Sequence, residues 1–146
     1  MKPRPTTRVL SVHAEYRCGK SGACCSSGWA CRGAPAVAEA VRAALDGGAL
    51  GPPARADGRD PFRAADGLPH GARVVLRVDP AGRCVFLDPQ RGRLCTIHQH
   101  LGPGALASAC RDFPRVVTLT PSGYSITLSH YCVTAAAHLF RDDSSL

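Results

Sequence analysis

Eight cysteines, with no C-x-x-C pair among them, constrain this chain more than any other feature. They stand at Cys18, Cys24, Cys25, Cys31, Cys84, Cys95, Cys110 and Cys132. The densest stretch is "ACCSSGWAC", residues 23–31, where Cys24 and Cys25 are adjacent. A zinc finger or ribbon presents two thiolates from one tight knuckle, and a thioredoxin-type dithiol spaces its thiols by two residues. The ferredoxin run of closely spaced cysteines is missing as well. What these spacings leave open is dispersed ligation, each thiol brought in by a different loop or element end.

Composition favours a bound centre. The chain has 146 residues, so one domain is expected, able to bury roughly two thirds of its unfolded surface. Twenty-two residues are alanine and only 35 are larger apolar side chains. Such a core is thin and needs support. The start, "MKPRPTTRVLSVHAEYRC", has no apolar signal-peptide region, and no long apolar run appears anywhere. The expectation is a cytoplasmic protein with reduced thiols and no membrane partner. Reduced thiols in this number point to metal or redox chemistry ahead of disulfides or inert burial. The formal charge is +7, and 16 of the 18 basic residues are arginine. They are scattered rather than interleaved with aromatics, so nucleic acid is not the expected partner. Four thiolates on one divalent ion, or on a [4Fe–4S]²⁺ core, would remove two of those positive units.

The clearest helix is "PAVAEAVRAALDGG" (35–48). Pro35 suits its first turn, Val37, Val41 and Leu45 share a face, and Gly47–Gly48 end it. Residues 1–34 read as irregular. Residues 49–72, rich in Gly, Pro, Ala, Arg and Asp, read as a surface loop or linker. Strands are expected at 73–79 and 83–88 around "PAG", with a short third at 93–97. Helical turns follow at 98–110, broken near Gly102–Pro103. "RVVTLTPSGYSITLS" (115–129) is the strongest hairpin signal. A helix over 130–140 closes the chain, with Val133, Ala136, Ala137 and Phe140 inward. The expected fold is therefore α+β: one small irregular domain over 1–146, with short antiparallel strands and two or three helices around a cysteine metal centre.

On this reading Cys84 opens a strand, Cys95 lies in the next, Cys110 ends a helix and Cys132 opens one. Unpaired backbone N–H groups at such ends can bond to sulfur, and Arg111 is near to balance charge. Successive side chains of an extended segment point to opposite faces. Cys24 and Cys25 therefore either bend onto one centre, helped by Gly28, or serve two partners. His98 is the best of the histidines as a ligand, because Cys95-x2-His98 spans one turn.

"YRCGKSGACCSSGW", "GRCVFLDPQRGRLCTIHQHLG" and "ACRDFPR", in this order, resemble the cysteine-cluster family of zinc- or iron-chelating proteins, which includes flagellin lysine N-methylases. That family carries an N-terminal C-x2-C-x2-C-C, then C-x-F-L, C-x-I-[HY] and C-R-x-F-P segments. Cys84-Val85-Phe86-Leu87, Cys95-Thr96-Ile97-His98 and Cys110-Arg111-Asp112-Phe113-Pro114 match as they stand. "LSHYCVTAAAHLF" is similar to a later Cys-led helix of the methylase branch. The resemblance implies a ligand set of Cys18, Cys24, Cys25, Cys84, Cys95, Cys110 and Cys132. Ser21 stands where the family has its second cysteine, and Cys31 is either its replacement or a small buried hydrophobe.

Two functions follow. The first is a metal-binding module whose centre holds the fold. An iron–sulfur cluster is favoured over zinc, because single dispersed cysteines suit a centre with several corners. The second, implied by the resemblance, is a protein lysine N-methylase using S-adenosylmethionine, with flagellin as substrate. The sequence itself shows no Gly-rich strand–helix loop for such a cofactor.

Overall fold

The computed structural model describes residues 6–53, 56–65, 67, 74–88, 90 and 93–140. In chain order the elements are β1 Thr6–Val9, α1 Ser11–Ala14, a 3-10 turn Ala23–Ser26, β2 Arg32–Gly33, α2 Pro35–Asp46, β3 Phe62–Ala64 and β4 Val74–Leu76. Then come α3 Thr96–Leu101, a 3-10 turn Pro103–Ala105, α4 Ser108–Asp112, β5 Arg115–Thr120, β6 Gly123–Leu128 and α5 Val133–His138. The fold is α+β, as expected, with one three-turn helix and otherwise short pieces. No helix among the described residues is long and apolar enough to cross a membrane. The elements fall into two compact units: Met1–Gly19 with Asp112–Leu146, and Lys20–Arg111.

Within Lys20–Arg111, α2 forms where its sequence pattern places it. Pro35 needs no N–H partner in the first turn. Ala38 and Val41 are fully buried, and Gly48 at φ +72° takes the left-handed conformation that ends the helix. The Leu50 N–H then bonds back to the Ala44 carbonyl at 3.0 Å, which folds the chain under the helix and buries Leu50. The sheet order is β2-β4-β3, antiparallel throughout. Asp60 fastens α2 to this sheet. Its carboxylate accepts from Arg42 at 2.8 Å and from the Phe62 N–H at 3.0 Å, while the Arg42 guanidinium lies 5.2 Å from the centre of the Phe62 ring. Phe62 and Phe86 tilt against each other at 5.9 Å in the middle of the core.

Three expectations change here. Of 49–72, residues 54, 55, 66 and 68–72 lie outside the described residues. The described part is not all surface: Leu50, Ala56 and Phe62 are buried and Phe62–Ala64 is β3. Isolated apolar anchors carry no period, so the sequence pattern could not show them. Residues 83–88 and 93–97 are not strands. They make only the single bridges Val78↔Cys84 and Leu87↔Cys95. Their backbone groups are used in turns instead: the Leu87 N–H bonds to the Cys84 carbonyl at 3.0 Å and the Thr96 N–H to Phe86 at 2.8 Å. Cys95 consequently caps α3 rather than lying in a strand.

In the other unit, "TPSG" turns β5 back onto β6 in the expected hairpin, in register from Arg115↔Leu128 to Thr120↔Gly123. The sheet gains a strand that sequence reading missed. Thr6–Val9, inside the stretch read as irregular, pairs parallel with β6. α1 touches α5, and the His13 side chain, mostly buried, accepts the Leu128 N–H on Nδ1 at 3.1 Å. α5 starts three residues later than expected and buries a different face. Cys132 and Ala135 are inside, whereas Val133 is 53% and Phe140 84% exposed. With Cys132 as the cap, positions 132, 135 and 136 share the inner side at helical spacing.

Gly123 makes the parallel pairing feasible. Its φ is +140°, and a Cβ there would collide with the Thr6 backbone. Gly123→Ala is expected to cost more than ~1 kcal/mol and to detach β1 first. Thermal melting together with amide exchange at Thr6 and Arg8, the residues of β1 whose N–H groups face β6, measures both effects. An unchanged midpoint with protected amides would contradict this account of the sheet.

Candidate metal centre

Gly22, at φ +73°, starts the 3-10 turn that carries the adjacent cysteines. Ser26 Oγ donates back to the Gly22 carbonyl at 3.0 Å, and Ser27 Oγ to that of Cys24 at 2.9 Å. The turn cancels the divergence of neighbouring side chains and brings Cys24 Sγ to 3.9 Å from Cys25 Sγ. Two thiolates on one tetrahedral zinc would stand about 3.8 Å apart, given Zn–S bonds near 2.3 Å. The pair thus has the edge length of a thiolate metal site. The glycine that makes the bend is Gly22; Gly28 instead lies against Gly82, where a Cβ on Gly82 would meet Gly28 Cα at 3.4 Å.

Backbone pairing fastens this loop to the rest of its unit. The Cys84 N–H bonds to the Cys25 carbonyl at 2.7 Å, and the Leu76 N–H to that of Cys31 at 3.0 Å. Cys25, Cys31, Cys95 and Cys110, each half-buried, pack on the same apolar core that includes Cys84. Cys24 is the exposed member.

The electrostatics follow from that crowding. Hydrogen bonding with Cys25 lowers the Cys24 thiol to about 6, against the opposing effect of burial. Cys25 is pushed far up, first by that same bond, then by burial and by the charges of Cys24, Cys84 and Cys95. Cys31 and Cys110 repeat the arrangement: their shared hydrogen bond lowers Cys31 and raises Cys110. Burial pushes Cys84 up to about 12, opposed by the Phe86 N–H and reinforced by Cys95, Cys31 and Cys24. Burial likewise raises Cys95, opposed by the N–H groups of His98 and Ile97 at the start of α3. Six thiols therefore lie within electrostatic reach of one another. They cannot all ionise together unless a cation joins them.

No three His, Cys, Asp or Glu side chains among the described residues gather closely enough around one point to hold a single ion as they stand. The convergence is broader than the shell of one ion. Five of the seven expected ligands, Cys24, Cys25, Cys84, Cys95 and Cys110, are in this group. Cys18 and Cys132 belong to the other unit, beside Tyr16. Cys31 joins the group through Cys110; no spacing rule marks it out, because its place depends on the pairing of β2 with β4. Ser21 uses its hydroxyl to accept the Ala23 N–H at 3.3 Å, a turn contact. His98 reaches Cys95 through its backbone N–H.

Comparison with protein-family models, with curated proteins and with solved structures returned no match to this chain.

Proposed function

We propose that residues 20–111 form a thiolate metal centre held by cysteines from Cys24, Cys25, Cys31, Cys84, Cys95 and Cys110, and that this centre stabilises the fold. The observation that carries the reading is the convergence of six thiols, from segments up to 86 positions apart: five lie on one thin core, and Cys24 stands exposed beside Cys25. An iron–sulfur cluster is preferred to a single zinc ion: Cys24 and Cys25 have the spacing of two thiolates on one metal, but no third ligand gathers with them among the described residues, and a polynuclear centre reaches more widely spread thiols than one ion does. A bound centre of this kind would supply the positive charge that lets neighbouring thiols ionise. Its binding free energy would count largely as folding free energy. The resemblance to the cysteine-cluster family agrees with this assignment, and a reducing, cytoplasmic location goes with it.

Metal and sulfide analysis with an absorption spectrum, after anaerobic purification, tests the proposal. Brown protein containing iron and acid-labile sulfide is expected. Colourless protein with stoichiometric zinc would move the assignment to zinc. Protein that takes up neither, even after reconstitution, would end it. The lysine N-methylase reading, with S-adenosylmethionine as cofactor and flagellin as substrate, rests on the resemblance alone. Labelled methyl transfer to flagellin by loaded protein would establish it.

A further inference from the structure

Two thiols belong to the unit made of Met1–Gly19 and Asp112–Leu146. Cys132 is buried at 7% exposure and caps α5, whereas Cys18 is exposed. One phenol joins them: Tyr16 Oη lies 3.4 Å from Cys132 Sγ and also hydrogen-bonds the Cys18 thiol. The Tyr16 ring is held in turn against His138, with ring centres 6.1 Å apart and planes tilted by 50°. A second contact sets the Gly19 backbone against the Thr134 side chain. A Cβ added to Gly19 would sit 2.6 Å from Thr134 Oγ1 and 3.6 Å from Thr134 Cβ, so the chain next to Cys18 runs directly against the first turn of α5. Two sulfurs hydrogen-bonded to one hydroxyl oxygen are at most about 7 Å apart.

We propose that Cys18 and Cys132 are a redox dithiol that a hydroperoxide converts to an intramolecular disulfide, independently of any metal centre in the other unit. The exposed and buried members take different parts. Cys18 sulfur, as thiolate, attacks the terminal peroxide oxygen. The O–O bond breaks, the leaving alkoxide or hydroxide takes up a proton, and Cys18 becomes a sulfenic acid. Cys132 sulfur then attacks Cys18 sulfur and displaces the hydroxyl, which departs as water with the Cys132 proton. Two thiols and one hydroperoxide give one disulfide, one alcohol (or water) and one water. The sulfurs lose two electrons and the peroxide gains them. Tyr16 acts as a positioning residue that keeps both sulfurs at one point.

Tryptic mapping separates this pair from the other six thiols. Cleavage after Arg17 and Lys20 releases Cys18 in the tripeptide Cys-Gly-Lys, and Cys132 leaves in peptide 116–141. The remaining cysteines leave in peptides 21–32, 84–91 and 94–111. The protein is treated with graded hydrogen peroxide, its remaining thiols are alkylated, and the digest is read by mass spectrometry. The tripeptide linked to 116–141 is the expected product, lost again on reduction. In Cys132→Ala, Cys18 should instead accumulate as a sulfenic acid that a 1,3-diketone traps. Recovery of the tripeptide alkylated, or linked to 21–32, would overturn the proposal. The wild-type peptide map separates these outcomes even if the variant fails to fold.

Discussion

Cys84→Ser is expected to strip the metal from the protein and to unfold residues 20–111 cooperatively. Cys84 is the most buried thiol of the group at 8% exposure, and it lies in the apolar core itself. Its N–H holds the Cys25 carbonyl at 2.7 Å, so it links the adjacent-cysteine turn to the sheet side of the unit. Serine keeps that backbone bond and nearly the same volume, and its oxygen can still accept the Phe86 N–H. What it removes is the soft thiolate. Structural zinc contributes about 10–16 kcal/mol of apparent binding free energy at neutral pH, against a typical domain stability of about 5–15 kcal/mol. Loss of one ligand from such a centre therefore decides folding. The metal-to-protein ratio and a thermal melt, run beside wild type with and without chelator, measure it. Chelated wild type should melt like the variant. A variant that keeps its full metal content would exclude Cys84 as a ligand.

Phe86→Ala is the second large effect, expected to cost about 3–5 kcal/mol. Phe86 is fully buried and tilts onto Phe62 at 5.9 Å. The chain has only four phenylalanines and one tryptophan, and its other core positions include Ala38, Ala56 and Ala107. Little nearby can collapse into the space a removed ring leaves. The backbone of Phe86 is also in use. Its carbonyl accepts the Thr96 N–H at 2.8 Å and Thr96 Oγ1 at 3.2 Å, and its N–H faces the Cys84 sulfur. Movement of this segment would reach Cys84 and Cys95 together. Denaturant unfolding should show a lower midpoint, with Phe86→Leu falling between alanine and wild type. An alanine variant as stable as wild type would mean that the core is not built on this ring pair.

Local pattern made part of this architecture readable. α2 announces itself by Pro35, by Val41 on the inner face and by the paired glycines after it. The β5–β6 hairpin announces itself by alternation around "TPSG". Both are closed by contacts a few residues apart. β1 could not be seen in this way. "TTRV" acquires its meaning from β6, more than a hundred positions later, in a parallel pairing that only tertiary contact supplies. Phe62 was hidden for the same reason: one aromatic in a Gly- and Pro-rich stretch has no period to reveal it.

The thiol site divides along the same line. Residue spacing alone showed that no C-x-x-C pair is present and that Cys84, Cys95 and Cys110 could meet the N-terminal cysteines only through the fold. It also pointed to a sharp bend at the adjacent pair, but placed that bend on Gly28; in the fold it is Gly22 that takes the left-handed conformation closed to most residues. Partnership was a tertiary decision. Cys31 stands with Cys110 because β2 pairs with β4 and α4 packs on the same core. Cys18 stands with Cys132 because Tyr16 reaches both and α5 docks beside it. A thiol carries the same chemistry wherever it sits, and its neighbours depend on contacts whose sequence separation leaves no periodic trace.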